Sequence, residues 1–134
     1  MGRGLSLLQR TVLTLALRNH DAEQRALEPA EGADVYVPEV YVAAYGWVVR
    51  DRRRARCHGM KADPPRGGWR GNERAVRAAV ARATRRLEAR GLVRRVYNVW
   101  SGADLTPAGY AAAQRLSVNA DAPSTPAFTD RPMS

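Results

Sequence analysis

Apolar positions recur at helical spacing in several separate stretches of this 134-residue chain. Near the start, Leu8, Val12, Leu15 and Ala16 mark one face, widened by Leu13 and Leu17. Ser6 and Gln9 stand three apart ahead of that face, the spacing of a capping box. The pattern predicts a helix over 5–18, with Asn19 as its stop. In NERAVRAAVARATRRLEAR, residues 72–90, Val76, Ala79, Val80, Ala83 and Leu87 make a second stripe. Asn72 is placed to cap that helix, Glu73 suits the positive end of its dipole, and Gly91 suits the left-handed residue that follows a last turn. Thr106 and Pro107 read as the cap and first residue of a third helix, with Tyr110, Ala112, Ala113 and Leu116 as its apolar edge. Val40, Tyr41, Ala44 and Tyr45 fit a shorter helix opened by Pro38 and closed by Gly46. One strand running through Val42 is the competing reading.

Strand signals are few. Val35–Val37 has β-branched and aromatic character. Leu92–Tyr97 alternates, Asn98–Gly102 supplies a turn, and Ala103–Leu105 reads as a short return strand. Residues 21–34, DAEQRALEPAEGAD, are acidic and punctuated by Pro29 and Gly32, which predicts a loop with one short helical turn after Asp21. Residues 47–71 lose periodicity and contain DRRRAR and CHGMKADPPRGGWRG, a predicted loop of roughly 20–25 residues; loops that long tend to be functional or disordered. Beyond the last helix, 118–134 is rich in Pro, Ala and Ser and holds too little apolar surface to offset its ordering, so a disordered tail is expected. The expected fold class is mainly α with a small β-hairpin (α+β), one domain over 1–117.

Charge gives these elements a use. The net charge is +9, the sequence pI is about 10.9, and Lys61 is the only lysine. Between Arg50 and Arg95 lie 16 basic and 4 acidic residues, a balance of +12, whereas the remainder carries −3. So local a positive field predicts a polyanionic partner. Arg74, Arg77, Arg82, Arg85 and Arg86 fall largely off the apolar stripe of 72–90, a helix that anchors by one face and offers arginines on the other.

Little points to other chemistry. One cysteine excludes an internal disulfide framework and favours a reducing compartment. The run Leu13–Leu17 is too short to span a bilayer, and no small-residue cleavage site follows it, so a cytoplasmic protein without membrane attachment is expected. Cys57 and His58 are adjacent, and His20 is the only other histidine, which leaves no metal-ligand set; Cys57 among arginines has the surroundings of a redox-sensing thiol. Glu28, Glu31 and Asp34 could be drawn as a nuclease cluster but lack a partner base. With no phosphate-binding loop, no paired metal-binding histidines and no nucleophile elbow, neither an enzyme nor a cofactor is expected.

The segments RATRRLEARGLVRRV and DLTPAGYAAAQRL resemble the recognition helix, wing and following helix of MarR-type and PadR-type bacterial transcriptional regulators. The matching positions are Arg86, Leu87, Gly91, Leu92 and Val93, then Leu105, Thr106 and Gly109. The order helix, strand, helix, basic helix, hairpin, helix is likewise that of a winged helix-turn-helix domain, here with an enlarged loop over 47–71 before the recognition helix. The resemblance implies sequence-specific binding to double-stranded DNA by a nucleoid-associated protein, with a homodimer reading two half-sites. By position Asn72, Arg74, Arg77, Ala78, Ala81 and Arg82 would lie nearest the bases, and Arg77 and Arg82 are the expected guanine readers. Arg85, Arg86, Arg94 and Arg95, with Arg52, Arg53 and Arg54 of the loop and Asn98 at the wing tip, would meet the backbone. Leu87, Leu92 and Val93 would bury the junction of helix and wing, and Gly109 would permit close packing at its base. Three alternatives stand beside this reading. PRGGWRG could stack on unpaired RNA bases, the basic surface could serve an architectural or replication-associated DNA binder, and a winged helix can mediate protein interaction.

Overall fold

A computed structural model describes residues 4–25, 33–50, 61–65, 73–97 and 101–130. In chain order the elements are α1 (Leu7–Arg25), β1 (Val35–Tyr36), α2 (Val37–Tyr45), β2 (Val48–Val49), β3 (Ala62–Asp63), α3 (Glu73–Ala89), β4 (Val93–Tyr97), β5 (Ser101–Leu105) and α4 (Pro107–Asp130). The described residues are thus mainly helical with small antiparallel sheets. No described helix is long and apolar enough to cross a membrane.

The core gathers around α1, which touches α2, α3, α4, β1 and β5. Leu13, Leu87, Val12, Val40, Val80 and Val93 are its largest fully buried side chains, one or two from nearly every layer. On α3 the buried set is Val76, Val80, Ala83, Thr84 and Leu87, with Ala79 at the edge, which is the stripe its spacing predicts. The capping box expected at the start of α1 is present: the Gln9 backbone N–H donates to Ser6 Oγ at 3.1 Å while the Ser6 N–H donates to Gln9 Oε1 at 2.8 Å. At the other ends, Gly46 and Gly91 adopt φ of 73° and 76°, left-handed values that a side chain would strain.

The three-stranded sheet has the order β1-β5-β4. β4 and β5 form a hairpin with Val93 opposite Leu105 and Tyr97 opposite Ser101, and β1 pairs with the far strand through Val35 opposite Ala103. The return strand therefore starts at Ser101, two residues before the expected Ala103, because the full five-residue register is used. Pairing with β1 folds the hairpin back onto the helices, so its base cannot swing independently of α3.

Several other expectations are corrected. The first helix does not stop at Asn19 but continues to Arg25. Asn19 is buried and its amide donates to the Asp34 carbonyl at 2.9 Å and to Glu39 Oε2 at 3.1 Å, so the side chain does not compete with its own backbone. Ala22, Glu23, Gln24 and Arg25 are then free to follow their helical propensity. Val37 belongs to α2 rather than to the strand, since Glu39 Oε1 accepts from the Tyr36 N–H at 2.8 Å and closes the first turn. The stretch 47–71 is not wholly loop. Val48 pairs with Asp63 and Val49 with Ala62, and Arg50 N–H donates to the Lys61 carbonyl at 2.8 Å. Strands of two residues have no period to read, and their partners lie across residues 51–60. Finally, α4 continues to Asp130 where a disordered tail was expected from 118. That stretch runs through Pro123 and Pro126, which have no N–H to donate to the preceding turn, and nothing in the sequence explains its helical continuation.

Candidate nucleic-acid interface

At 3.6 residues per turn, Arg74, Ala78, Ala81, Arg82 and Arg85 share an arc of α3 roughly opposite the buried stripe. All five are exposed. Arg74 and Arg85 stand about 16 Å apart along the axis at 1.5 Å per residue. The alanines between the arginines leave the helix slender, so a partner surface could approach the backbone closely. No ion pair with another described residue engages Arg74, Arg82 or Arg85. Arg86 is also exposed but sits on the side that faces the start of α1, where it lines an open cavity with Gly4, Leu5, Ser6, Gln9 and Arg90.

Arg77 is oriented differently. It lies roughly 90° around the helix from that arc, on the side of Thr84. Its Nη2 and Nε both donate to Glu73 Oε2, at 2.7 and 3.1 Å, and its guanidinium carbon is 5.3 Å from the ring centroids of both Tyr41 and Trp47. Those two rings are themselves in contact, with centroids 4.5 Å apart. Hydrogen bonding to Glu73 raises the Arg77 pKa further above its ordinary value, so the group is a permanent cation. Burial raises the Tyr41 phenol above its ordinary value, and the adjacent guanidinium opposes that shift. Trp47 is 2 % exposed, and its indole N–H has no hydrogen-bond partner among the described residues.

A cleft of about 220 Å³ opens between α2, α3 and the hairpin, lined by Val37, Tyr41, Arg77, Ala81, Thr84, Arg95 and Gly102. Arg95 belongs to this inner side: its side chain is 28 % exposed and Nε donates to Glu88 Oε1 at 2.7 Å. Arg94 points the other way, 77 % exposed, with Asp104 Oδ2 at 3.7 Å. The two adjacent arginines that the sequence treats alike are thus an inner, carboxylate-bound cation and an outer one.

The residues that carry the family resemblance meet at the hairpin base. Thr106 Oγ1 donates to the Gly91 carbonyl at 2.6 Å and accepts from the Gly109 N–H at 3.0 Å, and Thr106 N–H donates to the Leu92 carbonyl at 3.1 Å. A Cβ on Gly109 would overlap the Leu92 carbonyl oxygen. These contacts fasten the exit of α3 to the entry of α4 and fix the angle between α3 and the hairpin.

Asn72, Arg52, Arg53, Arg54, Asn98, Cys57 and His58, and the segment PRGGWRG apart from its first residue, lie outside the described residues. Of the acidic residues once drawn as a cluster, Asp34 is buried and structural: Oδ2 accepts from the Leu105 N–H at 2.8 Å, and Oδ1 is 3.2 Å from His20 Nδ1. Sequence reasoning missed Tyr41, Trp47 and Glu88 as partners of the basic side chains. The Glu73–Arg77 pair was legible as i,i+4 spacing; the aromatic pair was not, because only folding brings α2 against α3. Comparison with protein-family models, with curated proteins and with solved structures found no match.

Proposed function

We propose that this chain is a winged helix-turn-helix protein that binds double-stranded DNA sequence-specifically and serves as a small transcriptional regulator. The observation that carries the reading is the exposed arc of Arg74, Ala78, Ala81, Arg82 and Arg85 on a helix whose opposite face is bolted into the core. A slender arginine-bearing helix suits the major groove, where arginine pairs bidentately with the O6 and N7 of guanine. In this reading Arg74 and Arg82 contact bases, with Ala78 and Ala81 allowing the approach, while Arg85, Arg86 and the outward Arg94 contact phosphates. The hairpin beside α3, tied to the helices through β1, supplies the wing. Adding to this is the concentration of positive charge in 50–95, which favours any polyanion but most of all one that α3 can enter.

The decisive experiment is equilibrium binding to random duplex, single-stranded DNA and structured RNA over a salt series, followed by selection from a random duplex pool. Duplex should win, affinity should fall steeply with salt, and selection should converge on a motif. A palindromic motif would indicate two copies on one site, and a single half-site would indicate one. Preference for structured RNA over duplex would overturn the reading.

A further inference from the structure

We infer that Arg77 is a positioning residue that sets the angle of α3 against α2, in the place a tight helix-turn-helix turn would otherwise hold, and that base reading falls to Arg74 and Arg82. The inference rests on the DNA-binding reading for its second half; its first half concerns the fold alone.

In a compact helix-turn-helix a turn of three or four residues restricts the angle between the paired helices. Here residues 46–72 lie between α2 and α3, and a connection of that length imposes no such restriction by itself. Core packing of Val76 and Val80 seats the N-terminal half of α3, and Arg77 adds a polar clamp beside it. Arg77 is one turn into the helix and reaches every element around that end. From α3 itself Glu73 receives both of its N–H bonds. From α2 comes the Tyr41 ring, and from the residue between Gly46 and β2 comes the Trp47 ring, each 5.3 Å from the guanidinium carbon. From β3 the Asp63 carboxylate, held below its ordinary pKa chiefly by hydrogen bonding to Arg50, also feels the Arg77 charge. Tyr41 and Trp47 are buried while the Arg77 side chain is 51 % exposed, so the cation covers the outer side of a buried aromatic pair.

The same geometry turns Arg77 away from the reading arc, although its side chain stays half exposed. Its charge is already matched by Glu73, and its side chain leaves the helix about a quarter-turn from the arc of Arg74, Ala78 and Arg82. To bond a guanine edge it would have to give up the carboxylate and both rings. Arg74 and Arg82 give up no such partner among the described residues.

The test compares Arg77→Met, Arg77→Lys, Tyr41→Leu, Arg82→Ala and the Arg77→Met/Tyr41→Leu double variant in the full chain. On the duplex pool, Arg77→Met should weaken every sequence by a similar factor, about two- to fivefold if the contact is worth what a half-exposed cation–π pair typically is, and leave the selected motif unchanged. Arg77→Lys, which keeps a cation over the rings, should recover part of the loss. Arg82→Ala should instead erase preference at one base pair. Loss of preference at a single base pair in Arg77→Met, with other positions intact, would overturn the inference. The fold half is read without DNA: denaturant midpoints of the two single variants and the double variant should be non-additive, and the fluorescence of Trp47, isolated by Trp69→Phe and Trp100→Phe, should change in Arg77→Met. Additive midpoints with an unchanged Trp47 signal would overturn the inference even if the chain binds no duplex at all. Non-additive midpoints in a chain that binds no duplex would uphold the clamp and reject the DNA-binding reading instead.

Discussion

Gly109 shows how narrowly single residues are specified at the hairpin base. Its missing side chain leaves room for the Leu92 backbone, whose carbonyl carbon would stand 2.8 Å from a Cβ there. Backbone cannot rotate aside as a side chain can, so Gly109→Ala should cost about 3 kcal/mol or more, at the upper end of overpacking penalties. Urea unfolding would check it, and a loss below about 1 kcal/mol would show that the α4 entry can shift. Tyr41 gives a second residue-level expectation, through pH. Its folded pKa lies above the ordinary tyrosine value, chiefly because burial disfavours the phenolate. A raised folded value means that its contribution is fully present below about pH 10 and is lost as pH rises through the folded pKa. Between about pH 9 and 11 the wild type should therefore lose more stability than Tyr41→Phe, measured by denaturant midpoints; parallel losses would count against the shift.

Among the elements, α3 keeps its buried side chains and most of its arginines on separate faces. Val76, Val80 and Leu87 hold it in the core, whereas Arg82 and Arg85 are exposed and make no ion pair with a described residue. Arg85→Ala should leave the unfolding free energy within about 0.5 kcal/mol of wild type, yet reduce the magnitude of the salt dependence of duplex affinity by about one phosphate's worth. A stability loss much larger than that, with an unaltered salt slope, would mean that Arg85 serves the fold. The buried and exposed faces of this helix were legible in the sequence because period 3.6 separates them. The β2–β3 pair was not, since two residues per strand carry no period and the pairing joins Val49 to Ala62 across an intervening segment. Where α1 ends was misread for a related reason. Asn19 ordinarily favours a helix end, but here its amide is taken up by Asp34 and Glu39, which belong to other elements.

For the molecule as a whole, one buried polar cluster joins parts of the chain far apart in sequence. Asp34 receives the Leu105 N–H, its own N–H donates to Asp104 Oδ1 at 2.9 Å, and its carbonyl receives Asn19, so α1, β1 and β5 meet on it. Asp34→Ala would leave the Leu105 N–H and the His20 ring without their carboxylate. A loss of about 1–3 kcal/mol is expected, from the orphaned Leu105 N–H. Equilibrium unfolding would measure it, and a change under about 0.5 kcal/mol would mean that water replaces the carboxylate at little cost. Because Asp34 helps hold β5, the central strand of the sheet, to α1, the same variant should also loosen the fixed angle between the hairpin and α3.

The sequence by itself determined α1, α3 and the start of α4, the hairpin, the buried stripe of α3 and the concentration of positive charge around it, and left α2 open between helix and strand. Those follow from local period, capping residues and composition, each of which acts within a few residues. It also marked Gly91 and Thr106 at the hairpin base, which have local reasons as a left-handed helix exit and a helix cap, whereas Gly109 answers to the Leu92 backbone that only the fold brings near. Only the tertiary structure decided which arginines take partners from other elements. Arg74, Arg77 and Arg82 look equivalent along the chain. Arg77 alone meets the Tyr41 and Trp47 rings when α2 packs against α3, and Arg95 turns inward to Glu88 where Arg94 does not. Whether a cation is spent on the fold depends on partners that are distant in sequence, and no local pattern encodes them.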